Sequence, residues 1–147
     1  MVLIVCGTPI EIINAINLKV NFLINEKVDL IVLDHSPQNI PCSEKLRDMA
    51  IFENIINVRS KDIAAVKFDN KIIRYTSMAA KLMRTSKELL RQLSPIKENV
   101  YDKFFICSPD IPSQLIYYFV KQKNPFIELN MLEEGVFAYR FFDYKYS

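Results

Sequence analysis

Short, mostly apolar runs alternate along this chain with segments whose apolar residues recur every three or four positions. Val2–Cys6 is apolar throughout and ends in Gly-Thr-Pro. A continuous apolar run of that length suits a parallel strand covered on both faces. Thr8 then reads as a helix N-cap and Pro9 as the first helical residue. Ile12, Ile13, Ile16, Val20, Leu23 and Ile24 follow at helical spacing and predict a core-facing helix from Pro9 to Asn25. Val28–Leu33 is a second strand, closed by Asp34-His35-Ser36-Pro37. Ser43 opens a short helix carrying Leu46, Met49, Ala50 and Phe52, and Asn54–Val58 is a third strand.

Arg59–Arg74 has no clear period, although Lys61–Val66 within it is compatible with a helix. Tyr75–Leu93 predicts a long helix that Ser94-Pro95 ends. Lys103–Cys107 is the fourth strand, followed by Ser108-Pro109-Asp110 and a helix over Pro112–Gln122. Phe126–Leu129 is the fifth strand and leads to Glu133-Glu134-Gly135. Strands and helices in alternation define an α/β domain with a mostly parallel sheet and right-handed crossovers.

The chain has 147 residues, so 1–147 is expected to be a single domain with a core that needs no disulfide or metal. A net charge of +2, with no Lys/Arg block, lacks the footprint of a nucleic-acid binder. The 3 cysteines, Cys6, Cys42 and Cys107, are far apart and show no CxxC spacing, so neither a disulfide framework nor a metal site is expected. The opening MVLIVCG is too short for a signal peptide or a membrane span, and a reducing, cytoplasmic setting follows.

Ligands of open parallel sheets bind beyond the carboxyl ends of the strands. Both glycines, Gly7 and Gly135, fall there, each with an expected backbone role. Thr8, Asp34, His35, Ser36, Ser108, Asp110, Glu133 and Glu134 gather at the same edge. Cys6-Gly7-Thr8-Pro9 lacks the further glycines of a dinucleotide fingerprint and the Gly-Lys-Ser/Thr ending of a P-loop. The helix start behind it is either a plain capped turn or a seat for an anion or a hydroxyl-rich ligand. His35 is the single histidine, a residue type of use in acid–base catalysis, with a surface or turn-stabilising role as the alternative. Glu133-Glu134-Gly135 is the sharpest feature: a partly desolvated carboxylate beside a second acid has a raised pKa suited to a general base. Two acids on a solvated loop are the plainer alternative.

Phe104–Ser108, the helix after it, Phe126–Leu132 and Glu133-Glu134-Gly135 together resemble bacterial sialyltransferases and polysialyltransferases, above all glycosyltransferase family 52. The resemblance covers residues 101–140 with some specificity, and Tyr139 after the acidic motif adds to it. It implies a Rossmann-like three-layer domain, the N-terminal, acceptor-side half of a GT-B enzyme. Glu133 is then the candidate general base, with Glu134 and Gly135 shaping the loop. Gly7, Thr8, His35, Ser108, Asp110 and Gly135 are expected at the substrate, with no metal and no cofactor in this chain. CMP-sialic acid is the implied donor of the full enzyme and a glycan the acceptor, in capsule or lipooligosaccharide synthesis. Peripheral membrane association of the full enzyme is also implied.

Relatives bind the donor through a His-Pro motif and a Ser/Thr pair in a C-terminal domain, and this sequence has no His-Pro pair and ends at Ser147. The donor half is therefore expected to be missing, and the chain not to act alone. Phe137, Tyr139, Phe141, Phe142, Tyr144 and Tyr146 crowd the tail and would bury against that domain, a second subunit or the domain's own core. A non-catalytic Rossmann-like interaction module is the competing reading. A receiver-like signalling domain lacks its acidic cluster after the first strand.

Overall fold

The computed structural model describes residues 1–60, 83 and 85–132. Among the described residues five strands form one parallel sheet: β1 (Val2–Cys6), β2 (Val28–Leu33), β3 (Asn54–Val58), β4 (Lys103–Ile106) and β5 (Glu128–Met131). Their order across the sheet is β3-β2-β1-β4-β5. Helix α1 (Pro9–Asn21) follows β1, α2 (Asn39–Asp48) follows β2, and α3 (Ile111–Lys123) follows β4. Residues 85–92 are helical and lead into a 3-10 turn at Ser94–Ile96.

Alternation along the strands sends side chains to two cores. Leu3, Val5, Ile31, Leu33, Ile56, Val58, Phe104 and Ile106 pack on one face with Leu89, Leu93, Ile96 and Ile116. Val2, Ile4, Cys6, Leu30, Val32 and Cys107 pack on the other with Ile12, Ala15, Leu46 and Phe52. Helices therefore cover both faces, which makes a Rossmann-like three-layer α/β fold. Double coverage explains why every residue of β1 and β2 is buried.

Several boundaries differ from the sequence reading. Helix α1 ends at Asn21 rather than Asn25, because the Lys19 ammonium donates to the carbonyls of Leu23, Ile24 and Glu26 and holds the chain in a turn. Ile13 and Val20, within the helix, and Ile24, beyond its end, are exposed rather than core-facing, whereas Leu23 is buried as expected. Helix α2 opens at Asn39, ahead of Ser43, because Pro41 falls in the first turn, where its missing N–H costs nothing. Ser43 lies inside the helix, buried, and its hydroxyl donates to the Ile40 carbonyl. Met49 and Ala50 are exposed beyond the end of α2, with Ala50 in a left-handed conformation (φ 50°). Strand β5 begins at Glu128 rather than Phe126, and Phe126 is exposed. The stretch Lys61–Val66, compatible with a helix, and residues 75–82 and 84 of the helix expected at Tyr75–Leu93 lie outside the described residues.

The amino edge of the sheet is held by one buried carboxylate. Asp29, fully buried in β2, accepts from Asn54 Nδ2 at 2.8 Å, Asn99 Nδ2 at 2.8 Å and the Tyr101 hydroxyl at 2.5 Å. This knot joins β2, β3 and the segment before β4. Burial, and then the hydrogen bond to Asp29, push the Tyr101 phenol well above the ordinary tyrosine range. The raised folded-state pKa sets the sign. The stabilisation is complete below the unfolded tyrosine pKa of about 10 and falls as pH rises past it, by about 1.4 kcal/mol per pH unit. Urea unfolding at about pH 8 and about pH 11 is expected to show this loss in the native chain and a smaller one in Tyr101→Phe. Equal alkaline losses in the two proteins would exclude Tyr101 as the source.

Candidate functional site

Strand order reverses between β1 and β4, so the crevice beyond their carboxyl ends is the natural ligand position of this fold. Three loops reach it: Gly7-Thr8 after β1, Asp34-His35-Ser36 after β2, and Cys107-Ser108-Pro109-Asp110 after β4.

The β1 loop is built around Gly7. Its N–H donates to Glu11 Oε2 at 2.5 Å, and its carbonyl accepts from Asn39 Nδ2 at 2.7 Å. The same Asn39 amide group donates to the Leu33 carbonyl at 2.7 Å, so one side chain ties the exits of β1 and β2 together. The His35 ring lies against Gly7, where a Cβ would sit only 2.6 Å from Nδ1. Glycine is needed here for space beneath the imidazole, rather than for backbone freedom as the sequence suggested. His35 Nδ1 lies 3.7 Å from Asp110 Oδ2 across the crevice. His35 is thus a link between the β1 and β4 loops, partly open to solvent.

Two helices begin at the crevice, and each start is occupied by the chain's own oxygens. Thr8 Oγ1 accepts from the Glu11 N–H at 3.4 Å at the head of α1, while the Glu11 carboxylate turns back to the Gly7 N–H. Asp110 Oδ1 accepts from the Ser113 N–H at 2.7 Å at the head of α3. Pro9 and Pro112 remove one further donor from each first turn. An incoming anion would meet helix starts already capped, α1 by the Thr8 hydroxyl and α3 by the Asp110 carboxylate.

Among the residues expected at a site, Gly7, Thr8, His35, Ser108 and Asp110 come together here, with Thr8, Ser108 and Asp110 partly open to solvent. Asp34, from the same polar edge, instead accepts from the Ser60 N–H at 2.6 Å and the Ser60 hydroxyl at 2.8 Å, fastening the exit of β3. Glu133, Glu134, Gly135 and the aromatic tail lie outside the described residues.

Three participants were missed in the sequence. Glu11 had a legible signal in Thr8-x-x-Glu11, the spacing of a capping box. Asn39 had none, since its partners are set by the approach of two loops. The third is the pair Cys6 and Cys107. Val5 pairs with Ile106, so the two cysteines end adjacent strands, and both join the core beneath α1 and α2. Ligand atoms of Cys6, Glu11 and Cys107 lie within 4.8 Å of one another, and all three residues are buried.

No described helix is long and apolar enough to cross a membrane. Comparison with protein-family models, curated proteins and solved structures finds no match to this chain.

Proposed function

We propose that this chain is the acceptor-binding domain of a sialyltransferase-like glycosyltransferase of bacterial capsule or lipooligosaccharide synthesis, working in the cytoplasm. One observation carries the acceptor assignment: both helix starts at the switch point are capped by the chain itself, α1 by the Thr8 hydroxyl and α3 by the Asp110 carboxylate, and the Glu11 carboxylate already holds the Gly7 N–H beside them. Nucleotide phosphates gain nothing from such an edge. A glycan offers hydroxyls that donate to the partly open Asp110 carboxylate and accept from the Thr8 and Ser108 hydroxyls.

In this reading Glu133, one residue beyond Leu132 in the sequence, takes the proton of the acceptor hydroxyl. The hydroxyl oxygen attacks the anomeric carbon of sialic acid from the face opposite the nucleotide. The bond from that carbon to the CMP phosphate breaks, its electron pair leaves with CMP, and the configuration inverts. CMP-sialic acid is bound by a partner domain or a second subunit, for which the six aromatics between Phe137 and Tyr146 in the sequence offer apolar surface.

Calorimetric titration separates the readings. Galactose-ended or sialylated oligosaccharides are expected to bind, and CMP or CMP-sialic acid to give no heat. Tight CMP binding without glycan binding would remove the acceptor-side assignment.

A further inference from the structure

The buried cluster at the end of β1 has a chemistry that glycan binding does not use. Cys6 closes β1, Glu11 stands in the first turn of α1, and Cys107 follows β4. They are 0%, 2% and 3% exposed, so two thiols and a carboxylate from three elements meet in one interior spot. We propose that Cys6, Glu11 and Cys107 form a binding site for a single thiophilic divalent cation of the zinc type.

Donor chemistry selects the ion. Two sulfurs and one carboxylate suit a borderline-soft cation, whereas calcium and magnesium require six or more oxygens. Iron–sulfur clusters need four cysteine positions, and the chain has 3 cysteines in all.

Geometry allows the site. Tetrahedral zinc, with sulfur at about 2.3 Å and oxygen at about 2.1 Å, spaces its ligands by about 3.5–3.8 Å. The present separations are within 4.8 Å, at most about 1.3 Å longer than that spacing. The hydrogen bond from the Gly7 N–H to Glu11 Oε2 orients the carboxylate, as outer-shell partners do for metal ligands. The positive end of the α1 dipole favours the thiolates that binding requires. Three protein ligands leave a fourth position for water or for a ligand entering from the crevice.

Binding is balanced by proton release. The cation displaces one proton from each thiol, giving a bis-thiolate carboxylate complex of net charge −1, so affinity rises with pH.

The test uses the full, reduced, metal-free chain and Co(II) as the probe. One equivalent is expected to produce a thiolate-to-cobalt charge-transfer band that zinc bleaches. Cys107→Ser is expected to lose the band, and Cys42→Ser, altered outside the cluster, to keep it. Glu11→Gln is expected to keep the band while weakening binding by more than the ~10-fold that loss of an outer-shell partner costs. Cadmium NMR on the unaltered chain reads the ligand set directly, should a variant fail to fold. A resonance of a mixed sulfur–oxygen site supports the proposal. No charge-transfer band in the folded native chain, a band that survives in Cys107→Ser, or a cadmium signal of oxygen ligation alone would overturn it.

Discussion

Asp29→Ala is expected to destabilise the chain by about 3 kcal/mol, which lowers the melting temperature by about 6–12 °C for a domain of this size. The substitution sits at the amino edge, far along the strands from the crevice. Its effect comes from what it leaves behind. The Asn54 amide and the Tyr101 hydroxyl lose their acceptor, the Asn99 amide keeps only its 3.4 Å bond to the Tyr101 oxygen, and Tyr101 is only 1% exposed. A buried donor without a partner costs more than the net value of the bond it made. Tyr101→Phe removes a donor instead and leaves Asp29 two partners, so a loss of about 1 kcal/mol is expected. Chemical denaturation of the two variants checks the ranking. A loss below about 1 kcal/mol for Asp29→Ala would mean that the knot is not structural.

The second large effect inverts the usual order of conservative and drastic changes. Asn39→Asp is nearly isosteric, yet it is expected to cost about 3–5 kcal/mol. Asn39→Ala is expected to cost only about 2 kcal/mol. The Asn39 amide nitrogen donates to two carbonyl oxygens, Gly7 and Leu33, each at 2.7 Å, and the residue is fully buried. Aspartate puts a carboxylate oxygen against those two carbonyls in a place without water. Alanine leaves the two carbonyls unsatisfied but adds no repulsion. Equal losses in urea unfolding, or a smaller loss for aspartate, would contradict this role for Asn39. Because Asn39 joins the exits of β1 and β2, both variants are also expected to weaken ligand binding at the crevice.

Which features were legible in the sequence follows from which forces are local. VLIVC and VDLIVL read as buried strands because coverage on both faces demands continuous apolar runs, and both strands are wholly buried. Thr8-Pro9 marked the start of α1 because capping is a local contact. Asp29 shows the limit of the same reading. It looks like a polar interruption in an apolar strand, and only the arrival of Asn99 and Tyr101 makes its burial tolerable. The end of α1 was misplaced because the Lys19 ammonium, and no hydrophobic period, decides it. At the site, the polar loops were legible from the strand ends, since β1 and β4 point them to one edge. The meeting of Cys6 with Cys107 was not, because it depends on the register of β1 against β4.

The central claim is that a crevice whose helix starts are capped by the chain's own Thr8 and Asp110 receives a hydroxyl-rich acceptor and not a nucleotide. Amide NMR of the isotope-labelled chain, titrated with a galactose-ended oligosaccharide and separately with CMP, tests it at residue level. The account predicts that the glycan shifts the amides of Gly7, Thr8, Ser108 and Asp110 and that CMP leaves them in place. CMP moving those four amides, with the glycan leaving them unchanged, would contradict it.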